Sequence, residues 1–244
     1  MKTIYAIMKR ELSHYFTTPL AYVFIIIFLM LAATFTFYLG NLFERRQADL
    51  VPFFQYHPWL YLFLIPAISM RLWAEEKKNG SIELLMTLPI SITQAVVGKY
   101  LAAWLFAGLA LLLTFPAWLT VNYLGDPDNG VIISSYLGSF LMAGAFLAIG
   151  SCISATTSNQ VIAFIISIVI CFLFITTNFP FVIDFFKLWL PQALLDTITS
   201  LSFLSHFSSI NKGVIDLRDL IYFMLMIGFW LAANVVILEN RKQG

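Results

Sequence analysis

Charge is scarce in this sequence. Of its 244 residues only 11% are charged, against roughly 25% in soluble proteins. Hydrophobic residues make up 60%, more than a soluble fold can hide and what a bilayer accepts. The net charge is +1 and no basic stripe is present, so nothing points to nucleic acid. Cysteine is nearly absent too. Cys152 and Cys171 sit inside apolar runs, and no His or second Cys stands at ligand spacing from either. They read as small buried hydrophobes, and no metal site is expected.

Titratable groups at membrane depth are the next thing missing. An ion-driven carrier needs them, and their cost makes them conspicuous. Between positions 129 and 183 there is no Asp, Glu, Lys or Arg. His57 is placed near the outer end of a span, at the interface, and Arg71 near an inner end, where it can snorkel. A self-powered carrier or channel is therefore disfavoured. No phosphate loop is present: the one Gly-Lys pair, Gly98-Lys99, has Thr93 where the first Gly belongs. With no nucleophile–base pair either, the chain is not expected to be an enzyme. Any energy must come from another polypeptide.

What is present is a series of apolar runs. A spanning helix takes about 20 such residues. Six segments qualify, near 20–40, 53–73, 95–122, 134–155, 160–180 and 218–238, in a single transmembrane domain over 1–244. The N-terminal run is longer than a signal-peptide core and is read as a mature anchor. Before it, Ile4, Ile7, Met8, Leu12, Tyr15 and Phe16 recur at helical spacing. Residues 2–18 thus read as an amphipathic interfacial helix ended by Pro19. Six spans put both termini on one side. That side, with the 74–94 loop, holds nine Lys and Arg against five opposite. The bias places both termini in the cytoplasm. Span four carries a stripe of small residues, Ser139, Ala143, Ser151 and Ala155, with Gly144, Ala148 and Cys152 beside it, suited to close packing in lipid. Span five is read as bulky and lacking such a stripe, and so as a lipid or dimer face.

The segment 74–94 is charged, contains a turn, and holds an apolar helix too short to span. Asn79-Gly80 signals the turn. Gly80 or Ser81 can cap a helix from Ile82, Glu83 lies in its first turn, and Pro89 ends it. Ile82, Leu84 and Leu85 make that helix apolar nearly all round. Such surface is buried in the interface, in the chain itself, or in a partner's groove.

"EEKKNGSIELL" at 75–85, followed by "LPIS" at 88–91, resembles the hallmark of ABC-2-type transporter permeases. "AIMKRELSHYFTTPLAYVF" near the N-terminus and "SHFSSINKGVIDLRDLIYF" before the last span resemble the gliding-motility branch, itself similar to nitrous-oxide-reductase-maturation permeases. The resemblance implies an all-α, type V exporter-like fold. It implies that Glu75, Glu76, Gly80, Ser81, Ile82, Glu83, Leu84, Leu85 and Pro89 form a coupling helix docking on a cytoplasmic ATPase. That ATPase, in two copies, would hold the ATP and magnesium, so this chain needs no cofactor. A second permease copy, as a homodimer, is implied in a bacterial inner membrane, with an extracytoplasmic auxiliary protein beside it. The alternative reading is a subunit that relays ATPase motion to an extracytoplasmic machine without passing a substrate.

The remaining segment, 181–217, is too long for a simple loop and too interrupted for a span. It reads as two short helices at the outer interface, a lid or gate carrying Asp196, Thr199 and His206. Asp216 and Asp219 are expected to form a capping box for the last span, and His206 to be a structurally satisfied histidine.

Overall fold

The computed structural model describes residues 2–87, 89–187 and 191–242. The side chains of Leu20, Leu84, Leu85, Met86, Ala193, Asp196, Arg241 and Lys242 lie outside the described set. Among the described residues every regular element is helical. The chain opens with α1 (Lys2–Thr17) and α2 (Pro19–Thr34), which runs on as a π-helical turn over Phe35–Leu39. Three consecutive helices follow, α3 (Val51–Gln55), α4 (His57–Ser69) and α5 (Arg71–Lys78), then the short α6 (Ser81–Thr87). Next come α7 (Ile92–Leu112), α8 (Phe115–Leu124), α9 (Asn129–Ser154) and α10 (Gln160–Thr176). Then come α11 (Pro180–Lys187), α12 (Gln192–Ser200) and α13 (Phe203–Ile210), and α14 (Leu217–Lys242) follows.

Among the described residues four runs are long and apolar enough to cross a bilayer: Ala21–Leu39, Ile92–Leu124, Asn129–Ser154 and Leu217–Asn240. A fifth follows if α10 and α11, bent by 83° from one another, count as one broken span. The second expected span, 53–73, is not one helix. It is interrupted at Tyr56, just before Pro58 in the first turn of α4, and again at Met70. Pro66 within α4 has no N–H to give the preceding turn, which weakens the helix ahead of that break. The second break is satisfied by one side chain. Ser154 Oγ donates to the Met70 carbonyl at 2.8 Å and accepts from the Trp73 and Ala74 amides at 3.1 and 3.0 Å. Interrupted backbone at membrane depth is tolerated where other protein groups take up its polar atoms.

Helix α9 is the centre of the bundle and packs against α4, α5, α7, α10, α13 and α14. Its small residues are what let six neighbours approach. Ser139, Ala143, Gly144, Ala148, Ser151, Cys152 and Ala155 are all buried. A Cβ on Gly144 would stand 2.7 Å from Trp104 Nε1 and 2.9 Å from the Tyr100 hydroxyl. The reading of span five needs correction. Helix α10 also carries a small stripe, Ala163, Ser167 and Cys171, fully buried one turn apart. Its opposite face, with Val161, Ile165, Val169 and Phe172, is exposed.

His57 is likewise corrected. It is fully buried between α4 and α9, with Nδ1 2.7 Å from Ser139 Oγ, which the Tyr61 hydroxyl also reaches at 2.8 Å. Amphipathic α1 lays its apolar face on α7: Ile7 is buried where Gly98 leaves no room for a Cβ, and Tyr15 stacks on Phe106 at 5.0 Å.

Candidate functional site

The segment that carries the 75–91 motif is built from three short pieces. Helix α5 ends at Lys78, and the chain turns at Asn79-Gly80, where Gly80 adopts φ +71°. That left-handed conformation favours glycine, and around the position a Cβ would occupy there is open space. Helix α6 then starts at Ser81, whose hydroxyl reaches the Glu76 carbonyl at 3.4 Å. Beyond Pro89, Ser91 and Gln94 form a reciprocal capping box at the start of α7, with the Gln94 amide 3.2 Å from Ser91 Oγ and the Ser91 amide 3.4 Å from Gln94 Oε1. The S-x-x-Q spacing of that cap was open to sequence reasoning, which passed over it.

The expected docking residues divide into two groups. Ile82 does not face outward: it is 8% exposed and belongs to the core of its own chain. Ile82 thus anchors the seven-residue α6 in the core of its own chain. Gly80, Glu83 and Pro89 are exposed. The side chains of Leu84 and Leu85 lie outside the described set.

Glu75 and Glu76 are engaged within the chain. Arg71 holds Glu75 with two nitrogens, Nε at 2.6 Å and Nη2 at 2.9 Å. That bidentate contact keeps the Glu75 carboxyl below its ordinary value. Glu76 Oε1 lies 2.6 Å from Lys99 Nζ. Lys99 also pairs with Glu11 at 3.3 Å and lies 5.4 Å from the centroid of the Trp73 ring. Its side chain is 4% exposed. Burial raises the Glu11 carboxyl, but the charges of Lys99 and Arg10 outweigh it and hold the group below its ordinary value. Sequence reasoning used Lys99 in the phosphate-loop test and the charge count and missed its role. Part of the signal was there: a lysine inside an apolar run must find counter-charges.

From this cluster, contacts run to the distant helices. Trp73 Nε1 donates to Ser151 Oγ at 3.3 Å, and Asn234 Nδ2 donates to the same oxygen at 2.8 Å. The Lys77 ammonium donates to the Ala155 carbonyl. Helix α5 is thereby joined to α1, α7, α9 and α14. A cavity of about 410 Å³ opens beside it, lined by Glu11, Tyr15, Arg71, Glu75, Glu76 and Lys99 among others.

The outer segment differs from expectation in number: three short helices replace two. Helix α13 is a wedge, with Phe203 fully buried against Phe146, Phe174 and Phe223 at ring distances of 4.9, 5.3 and 6.1 Å. The expected capping box is half right. Asp216 accepts from the Arg218 amide at 3.0 Å. Asp219 instead turns to His206, with Oδ1 2.6 Å from Nδ1. The other ring nitrogen of His206 meets the Ser200 carbonyl at 2.9 Å, and Tyr222 stacks on the ring at 3.9 Å. His206 is thus structurally satisfied, tying the end of α12 to α13 and α14. Thr199 is half-buried in α12, and the Asp196 side chain lies outside the described set. Among the described residues no group of His, Cys, Asp and Glu is placed to hold a metal ion.

Comparison with known proteins gives a family and two relatives. A family model described as ABC-2 family transporter protein matches residues 48–236. The chain is similar to Heme exporter protein B of Paracoccus denitrificans, 34% identical over 92 residues, which cover 36% of this chain and 42% of that protein. It is similar to Heme exporter protein B of Rhodobacter capsulatus, 33% identical over 102 residues, covering 38% of this chain and 45% of that protein. The chain spans less than half the length of the curated relatives it matches.

Proposed function

The chain belongs to the ABC-2 transporter family, and from that premise we propose that it is the membrane permease subunit of an ATP-driven exporter whose 74–94 segment docks on a separate cytoplasmic ATPase. The observation that carries this reading is the form of α6: a short helix held from within by Ile82, with Gly80, Glu83 and Pro89 turned outward at the end of an ion-paired block. A load applied at α6 passes into α5, and α5 is bonded to α1, α7, α9 and α14 through Lys99, Ser151, Ser154 and Asn234. Export as the direction of transport is supported by the names of the relatives. On this reading two ATPase subunits hold ATP and magnesium, two permease copies pair, and both termini lie in the cytoplasm. The motifs resembling the gliding-motility branch support an extracytoplasmic auxiliary protein. The test is Glu83→Lys. It reverses an exposed charge in the first turn of α6, where the helix dipole makes a cation cost only about 0.3–1 kcal/mol. Co-purification of the ATPase and its stimulation should fall while the permease melts normally. Unchanged ATPase binding by a set of variants at Gly80, Glu83 and Pro89 would sink the docking assignment.

A further inference from the structure

Spans three and four enclose a groove that the coupling reading does not use. Its volume is about 610 Å³, within the roughly 300–1,000 Å³ of small-molecule sites. The groove runs past the interruption of the long run 92–124 at Leu113–Thr114, ahead of Pro116. Gly108 sets its depth: a Cβ there would stand 2.7 Å from the Phe140 ring. Leu12 and Phe16 of α1 line one end and Trp118 of α8 lies among the residues at the other. No charged residue lines it. Two lining side chains carry a polar atom, and both are engaged. Trp118 Nε1 donates to Asn129 Oδ1 at 2.7 Å, and the Tyr136 hydroxyl meets Thr114 Oγ1 at 2.9 Å.

We propose that this groove seats one acyl chain of a bilayer lipid. The wall has hydrocarbon to offer, and it lies between two membrane-crossing runs, where hydrocarbon is the surrounding phase. Its shape is elongated. From Leu105 to Leu112 it follows α7 for about 10 Å at 1.5 Å per residue and continues to Trp118 of α8, which suits a linear tail better than a ring system. The exposed amides of Asn122 and Asn129, hydrogen-bonded to each other at 3.2 and 3.3 Å, mark the end at which a polar headgroup would rest. The seated chain touches α1, α7, α8 and α9 together.

Photo-crosslinking tests this on the full chain reconstituted in phosphatidylcholine vesicles, with a diazirine placed mid-chain in the lipid. Label should concentrate on Phe140 and Gly108 at the groove floor above the level on Phe229 of α14, which is 66% exposed. Ile133→Trp fills the groove from its rim, where Ile133 is 56% exposed. It should abolish floor labelling and leave Phe229 labelling unchanged. Leu137→Trp, 40% exposed, should do the same and covers the case in which the first variant misfolds. Floor labelling no stronger than that on Phe229 overturns the proposal. So does efficient disulfide formation between copies carrying Ile133→Cys, which would show a second copy of this chain in the groove.

Discussion

Lys99 lies about two turns into α7, inside one of the most apolar runs of the chain, and 4% of its side chain is exposed. Glu11 and Glu76 hold it from two other helices, with carboxylates that are 16% and 20% exposed. Removing one member of a buried charge cluster costs about 3–5 kcal/mol, because the others remain desolvated, whereas replacing the whole set with apolar or neutral groups is often close to neutral. Lys99→Met should therefore lower the melting temperature sharply. Lys99→Met combined with Glu11→Gln and Glu76→Gln should recover most of the loss, and a triple variant no more stable than the single one would contradict the cluster. The pH dependence has a definite sign. The folded Glu11 carboxyl sits below the ordinary value of 4.5. Its contribution is complete above that value and is lost as the pH falls through the depressed one, so acid should loosen α1 from α7 in the same melting series. The cluster was half legible in the sequence. The presence of a lysine in an apolar run was plain, but its partners come from positions 88 residues before and 23 before it, and nothing local joins them.

Helices were the most legible level. Every long apolar run in the sequence is helical in the structure, because in lipid a backbone must satisfy its own hydrogen bonds. The small residues of α9 were readable as a packing face, and Gly144 is where the claim can be tested. Its carbonyl accepts from the Tyr100 hydroxyl at 3.1 Å, and Trp104 Nε1 donates nearby to the Phe140 carbonyl at 2.9 Å. Gly144→Leu drives a side chain into both aromatic partners. Overpacking of this kind costs about 1–3 kcal/mol, and the melting temperature of the purified subunit should drop. An unchanged value would show that this face is loose. What the runs concealed was interruption. Composition along 53–73 stays apolar across both breaks, and at the second one Ser154, more than 80 positions away, supplies hydrogen bonds that a straight helix would have made. Helix α10 misled for a related reason. Its bulky residues outnumber the small ones, and a stripe of three small residues shows only when the helix is turned to its buried side.

Across the whole molecule α9 acts as a measuring rod. Its 26 residues extend about 39 Å at 1.5 Å per residue, against a hydrocarbon core of about 30 Å. At its first end Ser135 Oγ donates to Asn211 Oδ1 at 2.8 Å and Ser134 Oγ to the Ile210 carbonyl at 3.0 Å, so the 181–217 segment is fastened there. At its last end Ser151, Ser154 and Ala155 hold Trp73, Ala74 and Lys77 of α5, so the motif-bearing segment is fastened there. The two segments are thus a bilayer apart along one rigid element, a separation that the Lys and Arg bias alone gave only as nine against five. The consequence can be read in whole cells. Single cysteines replacing Asp128, at the start of α9, and Lys212, just after α13, should react with an impermeant thiol reagent added outside. A cysteine replacing Lys78 should react only after the membrane is permeabilised. All three positions are exposed in the folded chain, so silence from any of them reports the membrane and not burial. Both native cysteines are buried and should not add to the signal. Reaction of the residue-78 cysteine in intact cells would place the motif-bearing segment outside and remove the ground for an ATPase docked on it. Reaction of all three would mean that α9 does not separate two compartments.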